Sequence, residues 1–316
     1  MFNVSDFPMQ TQQIMGLSMI PFALMGFICN WMIVYVIFRT PSAQHSFTVL
    51  TANQAFFEGC HSTIYLFYVT PMIVFDLDYL KINSYHAGWL ILLFYDASMQ
   101  IHFVMTINRF VAVYTPFLFP KLFSKKNTRI VCLFSFAISA FVITLFFRFL
   151  GCRMTYLNDF WMFEYSMQPI CQSYMYFNDI SKVSMMAIAN IIIDTVTISK
   201  VIYGRKRLRK NSMAAPNAAP LIRKKEVDFL KQSFGQGLAL FLGLSIYIFA
   251  PELVSDPMRA FLVSTLFWCA LHAFDGSITL YYNSDIQKAL KKLINGKTGQ
   301  ALLVAPAKSM TSVSKY

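Results

Sequence analysis

Apolar residues gather into seven long runs, and the polar residues fall between them. The runs cover residues 16–38, 47–75, 87–114, 130–147, 183–203, 232–250 and 260–283. Three of them, 16–38, 130–147 and 232–250, hold no Asp, Glu, Lys or Arg, and none of the others holds more than two. At about 1.5 Å of rise per residue, each run crosses most or all of a hydrocarbon layer about 30 Å thick. Lipid offers the backbone no hydrogen-bond partner, so a spanning segment must pair its own N–H and C=O groups, as a helix does. The pattern predicts an all-α membrane protein, with seven transmembrane helices bundled over 16–283. A hydrophobic share of 56% and a mean hydropathy of +0.50 agree with this class. Residues 1–15 lack a basic start and a small-residue cleavage site, so the first helix is expected to act as the insertion signal.

Charge supplies the orientation. Of 27 Lys and Arg residues, five lie on one side: Lys81, Arg148, Arg153, Lys182 and Arg259. The remaining 22 face the other side, including Lys121, Lys125, Lys126, Arg129, the run 205–210, Arg223-Lys224-Lys225 and six in the C-terminal region. Basic loops stay cytoplasmic, which puts the N-terminus outside. The net charge of +12 is therefore a topology signal near anionic lipid, not a nucleic-acid footprint.

Most connections are short. Residues 151–178 form a longer, aromatic loop on the outer side with Cys152 and Cys171, for which a bridge is predicted; the alternative is two free thiols. Cys29, Cys60, Cys132 and Cys269 fall inside apolar helices and read as packing residues. The inner loop 204–226 carries two basic runs around a low-complexity middle. After the bundle, Ser284-Asp285 opens a short amphipathic helix over 284–295, with Ile286, Leu290, Leu293 and Ile294 on one face and Lys288, Lys291 and Lys292 opposite. Residues 296–316 form a polar tail. Asn3 heads the single N-x-S/T sequon, a glycosylation candidate on the outer side.

The third run ends in Asn108-Arg109-Phe110-Val111-Ala112-Val113-Tyr114-Thr115-Pro116-Phe117-Leu118-Phe119. This resembles the D-R-Y-x-x-V-x-x-P-L-x-Y stretch of rhodopsin-like G protein-coupled receptors. Asn30 stands at the family's helix-one Asn, and Glu58 stands where its second helix has Asp. Asp275-Gly276-Ser277-Ile278-Thr279 aligns with N-P-x-x-Y, followed by Asn283 and Ile286. The words Ala52-Asn53-Gln54-Ala55, Thr70-Pro71-Met72-Ile73-Val74-Phe75-Asp76, Tyr95-Asp96, Phe123-Ser124 and Leu271-His272-Ala273-Phe274-Asp275-Gly276 are similar to nematode serpentine chemoreceptors of class X (Srx). The paired loop cysteines fit that branch too.

The resemblance implies a chemosensory receptor in the plasma membrane, with a sensory cilium as one expected place, that passes binding of a small molecule or peptide to a heterotrimeric G protein. Asn108, Arg109, Phe110 and Pro116 are then the coupling residues. Asn108 replaces the acid that normally pairs with the arginine, so a partner for Arg109 is expected from Glu226 or Asp228. Ser84 stands where the usual helix-three cysteine would be, Gly276 replaces a proline and Thr279 a tyrosine, and the sixth helix lacks C-W-x-P. The familiar switches therefore do not transfer as a set.

Asn30, Glu58 and Asp275 should share a depth in the bilayer. A carboxylate there is unfavourable and usually functional. Two of them together imply a shared proton or a cation between them. One reading is a cation- or proton-linked switch; the other is a hydrogen-bonded knot that fixes helices one, two and seven. Asp96 lies about 20 Å up the helix from Arg109. With Tyr95 and Met99 it is a candidate at the floor of a ligand pocket, although a partner on a neighbouring helix would also account for it. Asp194 is nearer the cytoplasm. Ile91 occupies the place where amine receptors carry an acid, which disfavours a monoamine.

No G-x-S-x-G, HExxH, P-loop or C-x-x-C occurs, so no enzyme, cofactor or resident metal is expected. The other function classes are a seven-helix channel or transporter and an orphan receptor that no longer couples. No internal repeat or broken-helix pair supports a transporter. Ligand identity and oligomeric state are not legible.

Overall fold

The computed structural model describes the backbone of residues 9–40, 45–212, 224–253 and 256–295, and the side chains of 11–40, 45–204, 231–246 and 256–295. Asn3, the side chains of Glu226 and Asp228, most of the inner loop's low-complexity middle and the tail 296–316 lie outside these residues.

Seven long helices form the bundle: α1 (Met9–Arg39), α2 (46–74), α3 (Ser84–Tyr114), α4 (Lys125–Phe149), α5 (Pro169 to Ser212), α6 (Lys224–Leu253) and α7 (Pro257–Tyr282). A short helix, α8 (Ser284–Ile294), follows. Among the described residues, α1, α3, α4, α5 and α7 are apolar enough to cross a membrane on hydropathy alone. Helix α2 falls short because its buried face is polar, with Gln54, Glu58, His61 and Ser62 turned inward. The outward faces are apolar instead. Leu133, Phe134 and Phe141 on α4 are all more than half exposed. An apolar belt of this kind fits lipid, not water.

The helices begin earlier than the apolar runs suggest. Helix α1 starts at Met9, not Gly16, and Gln12 there donates from Nε2 to Asp76 Oδ1 (2.7 Å) and to the Ile73 carbonyl (3.1 Å). Helix α5 starts at Pro169 instead of Val183. Its first turns look like loop because they hold Gln172, Asn178, Asp179 and Lys182. Two of these charges are matched inside the bundle: Asp179 accepts from Tyr165 (2.9 Å), and Lys182 pairs with Asp96. Helix α8 is capped by Asn283, not by Ser284-Asp285; the Asn283 side-chain oxygen accepts from the N–H groups of Asp285 and Ile286 (both 3.2 Å). Ile286 anchors α8 against Ile33, Val34, Val36 and Ala55.

Four helices carry a wide π turn: Tyr65–Val69 in α2, Leu145–Phe149 in α4, Met175–Ser181 in α5 and Leu262–Leu266 in α7. All four lie toward the end of the bundle that carries a hairpin between α4 and α5. Strands β1 (Met154–Leu157) and β2 (Met162–Tyr165) pair antiparallel with Met154 opposite Tyr165. Cys152 and Cys171 are bonded, with Cα atoms 5.1 Å apart and both side chains fully buried. The bridge ties the hairpin's base to the first turn of α5.

The hairpin also sits directly on α3. Ser84 accepts from the Tyr156 N–H (3.0 Å), a hydrogen bond at the position where a cysteine was missed. Gly88 lies against the Met154 carbonyl with no room for a Cβ. Tyr156 and Trp161 then join Met19, Tyr65, Val69, Ile91 and Phe261 in one buried cluster.

Candidate functional site

Beneath the hairpin lies a cleft with about 510 Å³ of empty volume, part of it open to solvent. Its walls include Ile91, Leu92 and Tyr95 from α3, Phe163 from β2 and Trp268 from α7. Its polar lining includes His61, Asp179 and His272. The rings interlock: Tyr95 meets Trp268 edge-on at 5.0 Å between centroids, and His272 stacks on Trp268 at 5.8 Å. Helical spacing explains this, since Trp268 and His272 are four apart and so share a face.

A second cavity, with about 390 Å³ of empty volume, part of it open, lies deeper. Gln54, Glu58, Ser98, Met99, Gln236, His272 and Asp275 border it. Glu58 is 5% exposed and accepts from Ser98 Oγ through one oxygen, while the other bonds His272 Nδ1. His61 lies against His272, ring centroids 3.8 Å apart. Asp275 Oδ2 accepts from Gln54 Nε2 (2.7 Å) and its carbonyl from Gln236 Nε2 (3.3 Å). Gln236 and Gln232 also donate to Thr279 Oγ1 (both 3.0 Å). Asn30 donates to the His272 carbonyl (3.5 Å) and leaves no room for a Cβ at Gly276.

The expected trio of Asn30, Glu58 and Asp275 is therefore close together, but the polar core is wider. Both acids border one cavity, and His272 stands beside Glu58, where a shared proton or a cation was the expectation. Among the described residues no three His, Cys, Asp or Glu side chains form a metal-binding group. His61 lies three residues after Glu58, and His272 three before Asp275. Their helical offset of three residues was the signal that placed both on the acid-bearing faces.

Of the pocket candidates, Tyr95 lines the cleft and Met99 the deeper cavity. Asp96 lines neither. Its carboxylate is held by Lys182, Ser139 Oγ (2.7 Å) and Gln100 Nε2 (2.9 Å), so it ties α3 to α4 and α5. Lys182, counted from sequence among the outer-side charges, is turned inward to meet it. Asp179 and Trp268 were missed, one because it read as loop and the other because tryptophans usually serve packing.

At the α8 end, Arg109 is 6% exposed. Its Nη1 lies 3.9 Å from Asp194 Oδ1, and its guanidinium sits 5.0 Å over the Phe47 ring. Among the described residues, the acid facing Arg109 is thus Asp194 on α5; the expected partners Glu226 and Asp228 lie outside the described side chains. Ser233 on α6 donates to the other Asp194 oxygen (2.5 Å). Asn108 donates to Ser46 Oγ (3.2 Å), linking α3 to α2. Phe110 stacks on Tyr114 at 4.5 Å, and Pro116 is exposed past the helix end.

The family model for the serpentine type 7TM GPCR chemoreceptor Srx matches residues 20–283. The chain belongs to this family. Srx membership makes it a multi-pass membrane receptor of the G protein-coupled class, and the channel or transporter reading is not favoured. This Srx chain is 26% identical over 288 residues to serpentine receptor class X 45 of Caenorhabditis elegans, covering 85% of this chain and 78% of that one. It is 21% identical over 204 residues to serpentine receptor class X-43 of the same nematode, covering 64% and 62%. The crystal structure of squid rhodopsin superposes with a TM-score of 0.75 at 16% identity, over 94% of this chain and 89% of that one. That likeness shows the fold. Family and fold are those of receptors, not of enzymes.

Proposed function

We propose that this Srx receptor takes a small molecule into the cleft beneath the hairpin and signals to a heterotrimeric G protein at the α8 end. The hairpin end faces outward, because the basic residues crowd the opposite end. The plasma membrane, in a sensory cilium, is the site of action. The observation that carries this reading is the position of His272, which lines both the cleft and the deeper cavity. A ligand that moves this ring acts directly on Glu58. Below it, Asp275, Gln236, Thr279 and Gln232 continue the polar contacts along α6 and α7. Arg109 and Asp194 then hold α3 to α5, with Ser233 of α6 attached. A ligand favouring one of two packings would shift their populations, and the inner face would admit a Gα subunit.

The test is nucleotide exchange on a panel of purified Gα subunits by the receptor in lipid nanodiscs. Basal or ligand-driven exchange on at least one is expected, and Arg109→Ala should abolish it. An N-terminal epitope should stain on intact cells and a C-terminal one only after permeabilisation. The reverse staining would end the reading.

A further inference from the structure

Among the described residues, two buried ring nitrogens at the cleft have no hydrogen-bond partner: His272 Nε2 and His61 Nδ1. Their side chains belong to residues 5% and 2% exposed. Buried polar groups are nearly always bonded, so such nitrogens point to an outside partner.

Glu58 decides what His272 presents. The carboxyl group bonds Nδ1, and a second acid, Asp275, borders the same cavity. An unbalanced charge is strongly unfavourable in this setting, so the Glu58–His272 pair is expected to hold no net charge. Two arrangements meet that condition: carboxylate with imidazolium, or carboxyl with neutral imidazole. In both, the proton between Oε2 and Nδ1 is shared, and the remaining ring proton is on Nε2. In both arrangements His272, a lining residue of the cleft, therefore carries an N–H donor with no partner among the described residues.

The rest of the lining narrows the choice. It is rich in apolar and aromatic side chains, contains Asp179, and includes no Lys or Arg. An anionic ligand would bring charge without a counter-charge. Asp179 already accepts from Tyr165 and is fixed to the hairpin.

We infer that the cleft binds an uncharged carbonyl compound, its oxygen accepting from His272 Nε2–H and its apolar body lying against Trp268, Tyr95 and Ile91. This names the ligand class for the receptor reading and rests on it.

The test uses the full-length receptor in nanodiscs and two matched sets of probes. One set is cyclohexanone, methylenecyclohexane, cyclohexylamine and cyclohexanecarboxylate; the other has the same four head groups on indane. Saturation-transfer NMR reads binding. The ketones should bind roughly tenfold or more tighter than the methylene isosteres, which lack only the acceptor. Infrared spectra should show the bound C=O stretch at lower wavenumber than in an apolar solvent. His272→Phe should erase the preference, and His272→Gln, which keeps an N–H donor, should retain part of it. If the phenylalanine variant does not fold, the infrared shift in the unaltered receptor still decides. Equal binding of ketone and isostere, or an unshifted stretch, overturns the inference. So does tightest binding of the amines with loss in Asp179→Asn. Ketone binding without nucleotide exchange on any Gα would instead sink the signalling reading and leave the ligand class standing.

Discussion

Arg109 and Asp194 face each other across 3.9 Å inside the bundle, near enough to attract and too far to hydrogen-bond. None of the three Arg109 side-chain nitrogens has a hydrogen-bond partner among the described residues. A buried ion pair held this loosely recovers little of its desolvation cost. It is a contact suited to release. Asp194→Asn should therefore raise basal nucleotide exchange several-fold, and Ser233→Ala should raise it less. Exchange unchanged in both variants at equal surface expression would remove Asp194 from the resting state.

Glu58 and Asp275 border one cavity but use different partners: Ser98 and His272 for one, Gln54 for the other. Glu58→Gln and Asp275→Asn each keep a polar side chain of nearly the same shape. Each should alter basal exchange while preserving surface expression. Their effects should be non-additive by about 0.5–3 kcal/mol, because each substitution relieves repulsion that the other also relieves. Additive effects, or equal loss of folding, would make this core a structural knot instead.

Gly276 is where α7 meets α1. A Cβ there would stand 2.5 Å from Asn30 Oδ1 and 2.8 Å from its Cγ. Gly276→Ala should cost about 1–3 kcal/mol through overpacking. The thermal midpoint of solubilised receptor should fall by several degrees. Adding Asn30→Ala should recover part of that loss, and a double variant no better than the single one would show that the clash is not with Asn30.

Asp76 lies between α2 and α3 with φ of 54°, in the left-handed region. The Lys81 ammonium, bonded to its carboxylate, holds Asp76 below the usual carboxylate range; the Gln12 amide adds to this and partial burial opposes it. The sign follows from a folded-state pKa below the unfolded one. Stability from this bond is full above the ordinary value of 3.8 and is lost as pH falls through the lower folded one. With the carboxylate about a third exposed, solvent screening keeps the contribution small. Asp76→Asn, which tolerates the same backbone, should weaken that acid-side loss. Asp76→Ala should cost about 1 kcal/mol more than Asn at neutral pH. Melting curves across acid pH read both.

Much of the fold was legible because lipid forces helices and charge separates the two ends. Each of the seven runs falls on a long helix, although α1 and α5 start well before theirs. What the pattern hid were polar residues with partners far away in sequence. Asp179 and Lys182 look like loop until Tyr165 and Asp96 are beside them. Asp194 was legible as an intramembrane acid but not as the residue facing Arg109, because local spacing says nothing about which helix crosses at that depth. Glu58 and Asp275 were legible as intramembrane acids; the imidazole between cleft and core was not, since only packing brings α2 against α7.

The four π turns all lie in the hairpin half of the bundle, and among the described residues none lies in the α8 half. Each inserts one residue, and so about a third of a turn of rotation, between the two halves of its helix. His61 precedes the wide turn of α2, Tyr65 opens it, and Ser264 and Thr265 lie within that of α7, with Trp268 just beyond. Losing or gaining a single residue at such a point would swing a different side chain into the cleft while every contact around Arg109 kept its bearing. The helices thus carry built-in slip joints: the lining of the cleft is retunable by one-residue steps, independently of the α8 end.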